Sequence, residues 1–473
     1  MPLKKLTSLF TLDIRALSIM RILLGVICLV DLVFFSYSLL NSIIPLEVVI
    51  KDFFYQNYWS IYTISNNHIF YIMLIIIHTS LTICYILGYK TKYTAPLFWF
   101  FTCSIQWANP LFTNAGSDVA RLLIWWSIFL PINKIYSLDS GWKKAKTQDY
   151  KVSNIATLGI GLQVLSIYFF SYFLKTSDAR RTEFSAIYYA LSRDYFSTNL
   201  GYKLTNYYTL TQALTLFSII LELAGPLLFL FLPRRGKIGI ALAFILFHIG
   251  FIFMMRLGSF PRYCIAGWIA LLPSSFWNWI ENKKNNQKLY KPYFWFSNYF
   301  TNIFLGGIIL YTLLWNIRST NTETFNTYFP HSLNKFWYIL RIDQYRGMYA
   351  PHPGTINGRH QINGLYKNQN SMVNISNSTE PIYTTKPTHK KITQILPKIQ
   401  WINFVVGTLT TKDPKGKYGN YFVQYLCRKR NDSHDSSQAL KAIQLIYSQE
   451  KIQLPKAKSP IEDKYLGTRN CKK

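Results

Sequence analysis

In the stretch "YFFSYFLKTSDARR" (168–181) an aromatic, nearly chargeless run ends on Lys175. Apolar surroundings disfavour the ammonium form, which is how lysines become general bases. At helical spacing Tyr168, Ser171, Tyr172 and Lys175 share one face, a polar stripe through an otherwise Phe/Leu/Ile surface. Such a stripe suits a helix that faces a cavity inside a bundle. The competing reading is a lysine at a span end that snorkels to the interface. Spacing leaves both readings standing.

Three further groups of polar residues sit in or beside apolar runs. Glu222 lies near the middle of "LTLFSIILELAGPLLFLFLP", just before Gly225-Pro226. Placing a charge at that depth costs about 2.5–3.5 kcal/mol. The carboxyl reads equally as a protonated group, as partner to a basic residue on a neighbouring helix, or as a packing hydrogen bond. His248, in "FILFHIGFIFMMRLGSFPR", could relay protons or hydrogen-bond a ligand, and a satisfied core histidine is the simpler reading. Arg256 and Arg262 follow it, suited to an anionic group or to interface anchoring. Asn109, Asn114 and Asp118 cluster in "WANPLFTNAGSDVAR", either a re-entrant loop lining a site or an ordinary short outer loop. No cluster has metal-ligand spacing, so no metal is expected.

These residues must be positioned by membrane spans. The chain has 473 residues, half of them hydrophobic, with 17% aromatic and 15% charged, where soluble proteins carry about 25% charged residues. Apolar runs of roughly 20 residues mark nine candidate spans, near 16–40, 69–88, 93–112, 118–135, 154–174, 209–232, 237–257, 261–280 and 297–316. The first run, with Arg15, Arg21 and Asp31, reads as an uncleaved helix and not as a signal peptide. The fold class expected is membrane all-α: a polytopic bundle of about nine transmembrane helices over 1–316, with a C-terminal extramembrane mixed α/β domain over 317–473. In that domain "KAIQLIYSQEKIQL" (441–454) reads in part as a strand and "NYFVQYLCRKRN" (420–431) as a short helix.

The net charge of +30 is not a nucleic-acid footprint. The cations sit in short loops and the C-terminal third, with no RNA- or DNA-binding motif. Topology and anionic lipid account for them better. With a cytoplasmic N-terminus the inner loops hold Lys4 and Lys5; Lys90 and Lys92; "KKAKTQDYK" (143–151); Arg234, Arg235 and Lys237; and Lys283, Lys284 and Lys288. Nine spans then place Lys175 and the C-terminal domain outside the cytoplasm, as in a protein of a cell inner membrane. Cys28, Cys84, Cys103 and Cys264 read as small core hydrophobes, whereas Cys427 and Cys471 could pair if exported.

Several ordered segments resemble the HTTM membrane domain, the family of the vitamin K-dependent γ-glutamyl carboxylases and their bacterial relatives. They are "LDIRALSIMRILLGVICLVDL" (12–32), the interval from "NAGSDVARLL" to "NKIYSLDSG" (114–141), and "LQVLSIYFFSYFLK" (162–175). "LELAGPLLFLFLPRRGK" (221–237) and "LFHIGFIFMMRLGSFP" (246–261) extend the likeness, and "LRIDQYRGMYAPHP" (340–353) looks like a degraded form of the stretch that follows the last span in bacterial relatives. The resemblance implies that Lys175 is the base that deprotonates reduced vitamin K or a menaquinol, which then reacts with O₂. In the family the oxygenated quinone removes a glutamate γ-proton and the carbanion captures CO₂. In the family the base is the second of a lysine pair, and Leu174 stands where the preceding lysine would be. Gly116 stands where it has the histidine associated with carboxylation. The resemblance also implies sites at His248 and Glu222, with Tyr168, Ser171, Tyr172, Asn114, Asp118 and Arg256 around the cavity.

Two functions follow as expectations. One is a quinol epoxidase or carboxylase-like lyase with Lys175 as base, the bilayer around it, and a quinol and a protein or peptide as substrates. The other is a non-catalytic membrane factor for maturation or export of a partner protein or toxin. The enzyme predicts an apolar, ligand-sized cavity lined by both Lys175 and His248.

Overall fold

Two of the long helices are amphipathic in reverse. In the computed structural model, one helix buries Thr211, Thr215, Ser218 and Glu222 along one face and exposes Leu210, Leu216, Phe217, Ile220 and Phe231 on the others. Another buries Tyr71, His78, Thr82 and Tyr85 and exposes Ile69, Ile72, Ile76 and Ile83. Apolar side chains need no protein cover where lipid surrounds them, so polar groups collect inside, where they find partners.

The structure describes residues 9–45, 47–48, 59–108, 110–142, 151–281, 299–320, 339–344, 347–375, 417–432, 439–454 and 462–471. Asn109, Lys4, Lys5, residues 143–150 of the basic loop, Lys283, Lys284 and Lys288 lie outside them. The helices, in order, are α1 (Ile14–Leu40), α2 (His68–Leu87), α3 (Thr91–Ala108), α4 (Ala115–Ile128), α5 (Ile155–Leu174), α6 (Asp178–Arg181), α7 (Ala186–Leu191), α8 (Asn199–Leu204), α9 (Tyr208–Phe231), α10 (Arg234–Met254), α11 (Phe260–Ala270), α12 (Ser274–Ile280), α13 (Tyr299–Thr320) and α14 (Lys417–Asn431). The strands are β1 (Leu12–Asp13), β2 (Lys151–Val152), β3 (Ile356–Tyr366), β4 (Val373–Asn374), β5 (Leu440–Lys451) and β6 (Glu462–Asn470).

The chain is a multi-pass membrane protein. Among the described residues six helices are long and apolar enough to cross a bilayer: α1, α2, α5, α9, α10 and α13. They match six of the nine expected spans. The other three expected spans fall on α3, which carries Pro96, on the 14-residue α4, and on the 11-residue α11 followed by α12. Apolar composition there reflects burial among other helices: Trp126 and Trp268 are almost fully enclosed.

Arginines hold one end of the bundle together. Arg15 bonds both oxygens of Asp13 (2.9 and 2.7 Å), Glu281 (2.9 Å) and Asn278 (2.8 Å), tying the start of α1 to the end of α12. β1 pairs with β2 at the same end. Arg21, fully buried, donates to the backbone carbonyls of Ile132 (3.0 Å), Ile86 (3.2 Å) and Tyr136. Gly88 caps α2 at φ +67°, and a Cβ there would come within 2.1 Å of the Arg21 guanidinium. At the other end an antiparallel sheet of order β4-β3-β5-β6 packs beside α14. The Cys427–Cys471 disulfide joins α14 to the residue after β6. Tyr425 meets Tyr37 (2.9 Å), and the His360 amide donates to the Tyr195 hydroxyl (2.9 Å), so sheet and bundle touch directly.

Replacing Arg21 with methionine strips partners from three carbonyls while keeping the bulk. The loss is expected to be roughly 2–4 kcal/mol, read as a lowered melting temperature of the detergent-solubilised protein; an unchanged melt would contradict the clasp.

Candidate functional site

α5 begins on an Asn154–Thr157 capping box and ends on Lys175, whose amide still bonds the Ser171 carbonyl (3.3 Å). The side chain therefore leaves the last turn of the helix on the same face as Tyr168 and Ser171. α9 runs beside α5 and brings Glu222 to it: Lys175 Nζ lies 2.8 Å from Glu222 Oε1. The other carboxylate oxygen is taken by Arg180 on the short α6, at 2.5 Å. The three side chains are 12%, 7% and 7% exposed. One carboxylate thus balances two cations, leaving a surplus positive charge in a nearly enclosed place. Burial holds Lys175 below the ordinary lysine range, and Arg180 adds to this against the pull of Glu222.

Two turns deeper, Tyr168 and His248 meet at 2.6 Å, and Trp268 Nε1 donates to the same Tyr168 oxygen (2.9 Å). Lys175, Arg180, Glu222, Tyr168 and His248 line one cavity of about 90 Å³, walled by Ile167, Phe247, Phe251, Met255, Leu257 and Phe260. That volume lies below the roughly 300–1,000 Å³ of sites that engulf a drug-sized ligand. Three polar atoms in its wall, His248 Nδ1, Ser177 Oγ and the Tyr349 hydroxyl, find no partner among the described residues. Buried polar atoms are normally bonded, so these three are open to a polar partner, water included. Burial pushes the Tyr349 hydroxyl up to about 12, against the pull of Arg193, which keeps it a neutral donor. Tyr349 sits at φ +61°, a conformation that costs a bulky L-residue about 1–2 kcal/mol.

A second cavity, of about 410 Å³, shares Leu257, Phe260, Met348 and Tyr349 with the first. Its polar rim holds Asn114, Asp118, Arg193 and His352. Asn114 caps α4, accepting from the amides of Gly116 (2.8 Å) and Ser117 (3.3 Å). Asp118 pairs with Arg121 (3.1 Å), which also holds Asp343 (3.2 Å).

Lys175, Glu222, His248, Tyr168 and Ser171 therefore converge, while Asn114 and Asp118 lie across a shared wall. Two expected cavity residues fall elsewhere. Tyr172 lies on the other flank of the stripe from Ser171; its half-buried ring faces Arg181 (5.9 Å) and Phe173. Arg256 bonds the Tyr195 carbonyl (3.3 Å) through its side chain and the Phe196 carbonyl (2.7 Å) through its amide, and lines neither cavity. Arg180, Ser177 and Tyr349 were not singled out from sequence. The need of a deep carboxylate for a basic partner was legible there, and "KTSDARR" offered three cations of which Arg180 and Lys175 are used.

Comparison of the chain with protein-family models, curated proteins and solved structures returned no match.

The stoichiometry sets an unequal mutational response. Glu222→Gln leaves two buried like charges and is expected to cost about 3–5 kcal/mol. Lys175→Met leaves the Glu222–Arg180 pair intact and electrically balanced, so its melting temperature should match or exceed that of the unmodified protein. Equal destabilisation by both would refute the surplus-charge description.

Proposed function

We propose that the chain is an integral membrane enzyme of the carboxylase/epoxidase kind, in which Lys175 takes a proton from a weakly acidic, lipid-soluble quinol. The observation that carries this is one buried carboxylate shared by two bases: Arg180 takes the charge of Glu222, which leaves Lys175 free to stand as the neutral amine, in an apolar cavity with three polar atoms unpartnered among the described residues. Protonation of that amine creates an unbalanced buried cation, which the anion formed at the same place would offset.

Within this proposal each residue has a task. Glu222 fixes the Lys175 amine, and Arg180 draws on the same carboxylate, so that Lys175 is not locked as its sole counter-ion. Once Lys175 has accepted a proton, the two cations face the resulting substrate oxyanion and stabilise it. His248 Nδ1, Ser177 Oγ and Tyr349 OH are placed to orient the polar edge of the ring. A reduced vitamin K or menaquinol would supply the acidic hydroxyl and the electrons, and O₂ would be the oxidant, one of its oxygens ending in the epoxide and the other in water. The cavity has room for that edge, and the remainder of such a molecule would extend into the bilayer.

Gly116 bears on CO₂ addition. A Cβ at this position would lie 2.9 Å from the backbone nitrogen of Phe260 and 3.0 Å from its Cα. Backbone occupies the space a histidine side chain would need, which favours the deprotonation half of the family's reaction, with CO₂ and a protein or peptide acceptor as its unassigned remainder.

The HTTM-like assignment of 1–316, the nine-span count and an inner-membrane orientation with N-terminus cytoplasmic and 317–473 an extracytoplasmic domain belong to the same proposal. Two observations support the orientation. Lys90, Lys151, Arg234 and Lys237 gather at the β1–β2 end of the bundle, and Lys175 and the sheet lie at the other. The Cys427–Cys471 disulfide suits an oxidising compartment. The second reading, a non-catalytic maturation or export factor, draws on the 2.8 Å Lys175–Glu222 contact as a packing ion pair.

Purified protein given reduced vitamin K or menaquinol and O₂ is expected to form the epoxide. Lys175→Ala should lower the rate by about 10²–10⁴-fold. The rate should rise with pH as the amine is freed of its proton, with an apparent pKa below the usual value of about 10.4. Epoxide formation that survives Lys175→Ala eliminates this lysine as the base, and its absence from the unmodified protein favours the second reading.

A further inference from the structure

The opposite end of the bundle carries a cation cluster of another kind. Lys151 on β2 and Arg234 and Lys237 in the first turn of α10 line one cavity of about 280 Å³, together with Leu9, Phe10 and Pro273. No carboxylate lies within ion-pair distance of these three cations among the described residues. The acid nearest in the chain's pairing, Asp13 opposite Lys151, is fully buried and held by two bonds from Arg15. Lys237 gives one N–H to the Leu9 carbonyl (3.1 Å) and rests over the Phe229 ring (5.3 Å), with its remaining donors uncommitted. α10 starts at Pro233 without a side-chain cap, so its positive end opens toward the same space. Burial, and after it the neighbouring Arg234, hold Lys151 below the ordinary lysine range against the pull of Asp13.

We propose that this cavity binds a phosphate group at the membrane face, that of an anionic phospholipid headgroup. Three cations converging without an acid match the charge and the several acceptor oxygens of a phosphate ester. The surroundings match the rest of a lipid. Phe231 is 83% exposed, and Leu9 and Leu232 flank the cavity on the side where acyl chains would lie. Topology alone explains cations in a loop, but not their convergence from two separate loops on one hollow. The site is independent of the Lys175 chemistry at the far end.

The test is native mass spectrometry of the full-length, detergent-purified protein with phosphatidylglycerol or phosphatidylcholine. Phosphatidylglycerol should be retained at least about tenfold better, the worth of one charge-assisted hydrogen bond or more. The Lys151→Gln/Arg234→Gln/Lys237→Gln variant should lose that preference. Arg235→Gln, which changes an exposed cation outside the cavity, should keep it, as should the charge-conserving Arg234→Lys/Lys237→Arg. If the triple variant does not purify as a monodisperse species, Lys151→Gln alone supplies the reading. Inorganic phosphate forms the second arm. Protection of the unmodified protein against heat by phosphate, without retention of lipid, assigns the same residues to a soluble phosphate ester. Equal retention of the two lipids with no effect of phosphate, or a preference that survives the variants, overturns the site.

Discussion

Glu222 is the point on which the site depends, because one carboxylate is asked to hold two cations away from water. Its attraction joins three separate pieces of chain, the end of α5, the short α6 and the middle of α9. At these distances each pair is strongly attractive, yet the two cations repel each other and all three groups have lost most of their hydration. The arrangement is held because the backbone leaves little choice. α5 delivers Lys175 from its last turn, and Pro226 within α9 removes the amide that would otherwise bond the Glu222 carbonyl.

Other buried cations in the same molecule show what a structural solution looks like here. Arg15 has two carboxylates, Arg121 has two, and Arg21 has three carbonyl oxygens in place of acids. In each, acceptors outnumber the guanidinium. At Glu222 the ratio is inverted, and the inversion coincides with the cavity whose wall carries unpartnered polar atoms. Set beside Arg15 and Arg121, where carboxylates are in excess, the carboxylate shared by two cations at Glu222 is the reverse arrangement, and it occurs beside a cavity.

Much of the architecture was legible because lipid imposes length and apolarity on whatever crosses it. All six long apolar helices were marked by their runs, and β5 and α14 were visible as an alternating segment and an aromatic helix. α3, α4 and α11 answer to the other three runs; they are shorter or less apolar than the six, and much of their surface is buried among other helices. The stripe on α5 located Tyr168, Ser171 and Lys175, but a stripe has two flanks, and only packing decides that Ser171 and not Tyr172 faces the cavity. Arg180 and Tyr349 were hidden for a different reason. They reach the site from a four-residue helix and from a turn far along the chain, and neither carries a periodicity.

Those turn residues also decide how the site is closed. The Ser177 amide bonds the Pro351 carbonyl (3.2 Å), and Trp315 and Gln163 hold Gln344 (2.8 Å each), so the segment after α13 is drawn back over the bundle. Met348 and Tyr349 thereby form one half of the wall between the two cavities, and Leu257 and Phe260 form the other. Gly116 allows the Phe260 half to sit where it does, because any side chain there would push against backbone. The residue at position 116 therefore acts on the partition itself: glycine lets the start of α11 close against α4, separating the apolar chamber of Lys175 from the polar one of Asp118 and Arg193. A larger residue would have to move Phe260, and with it the boundary between the two cavities.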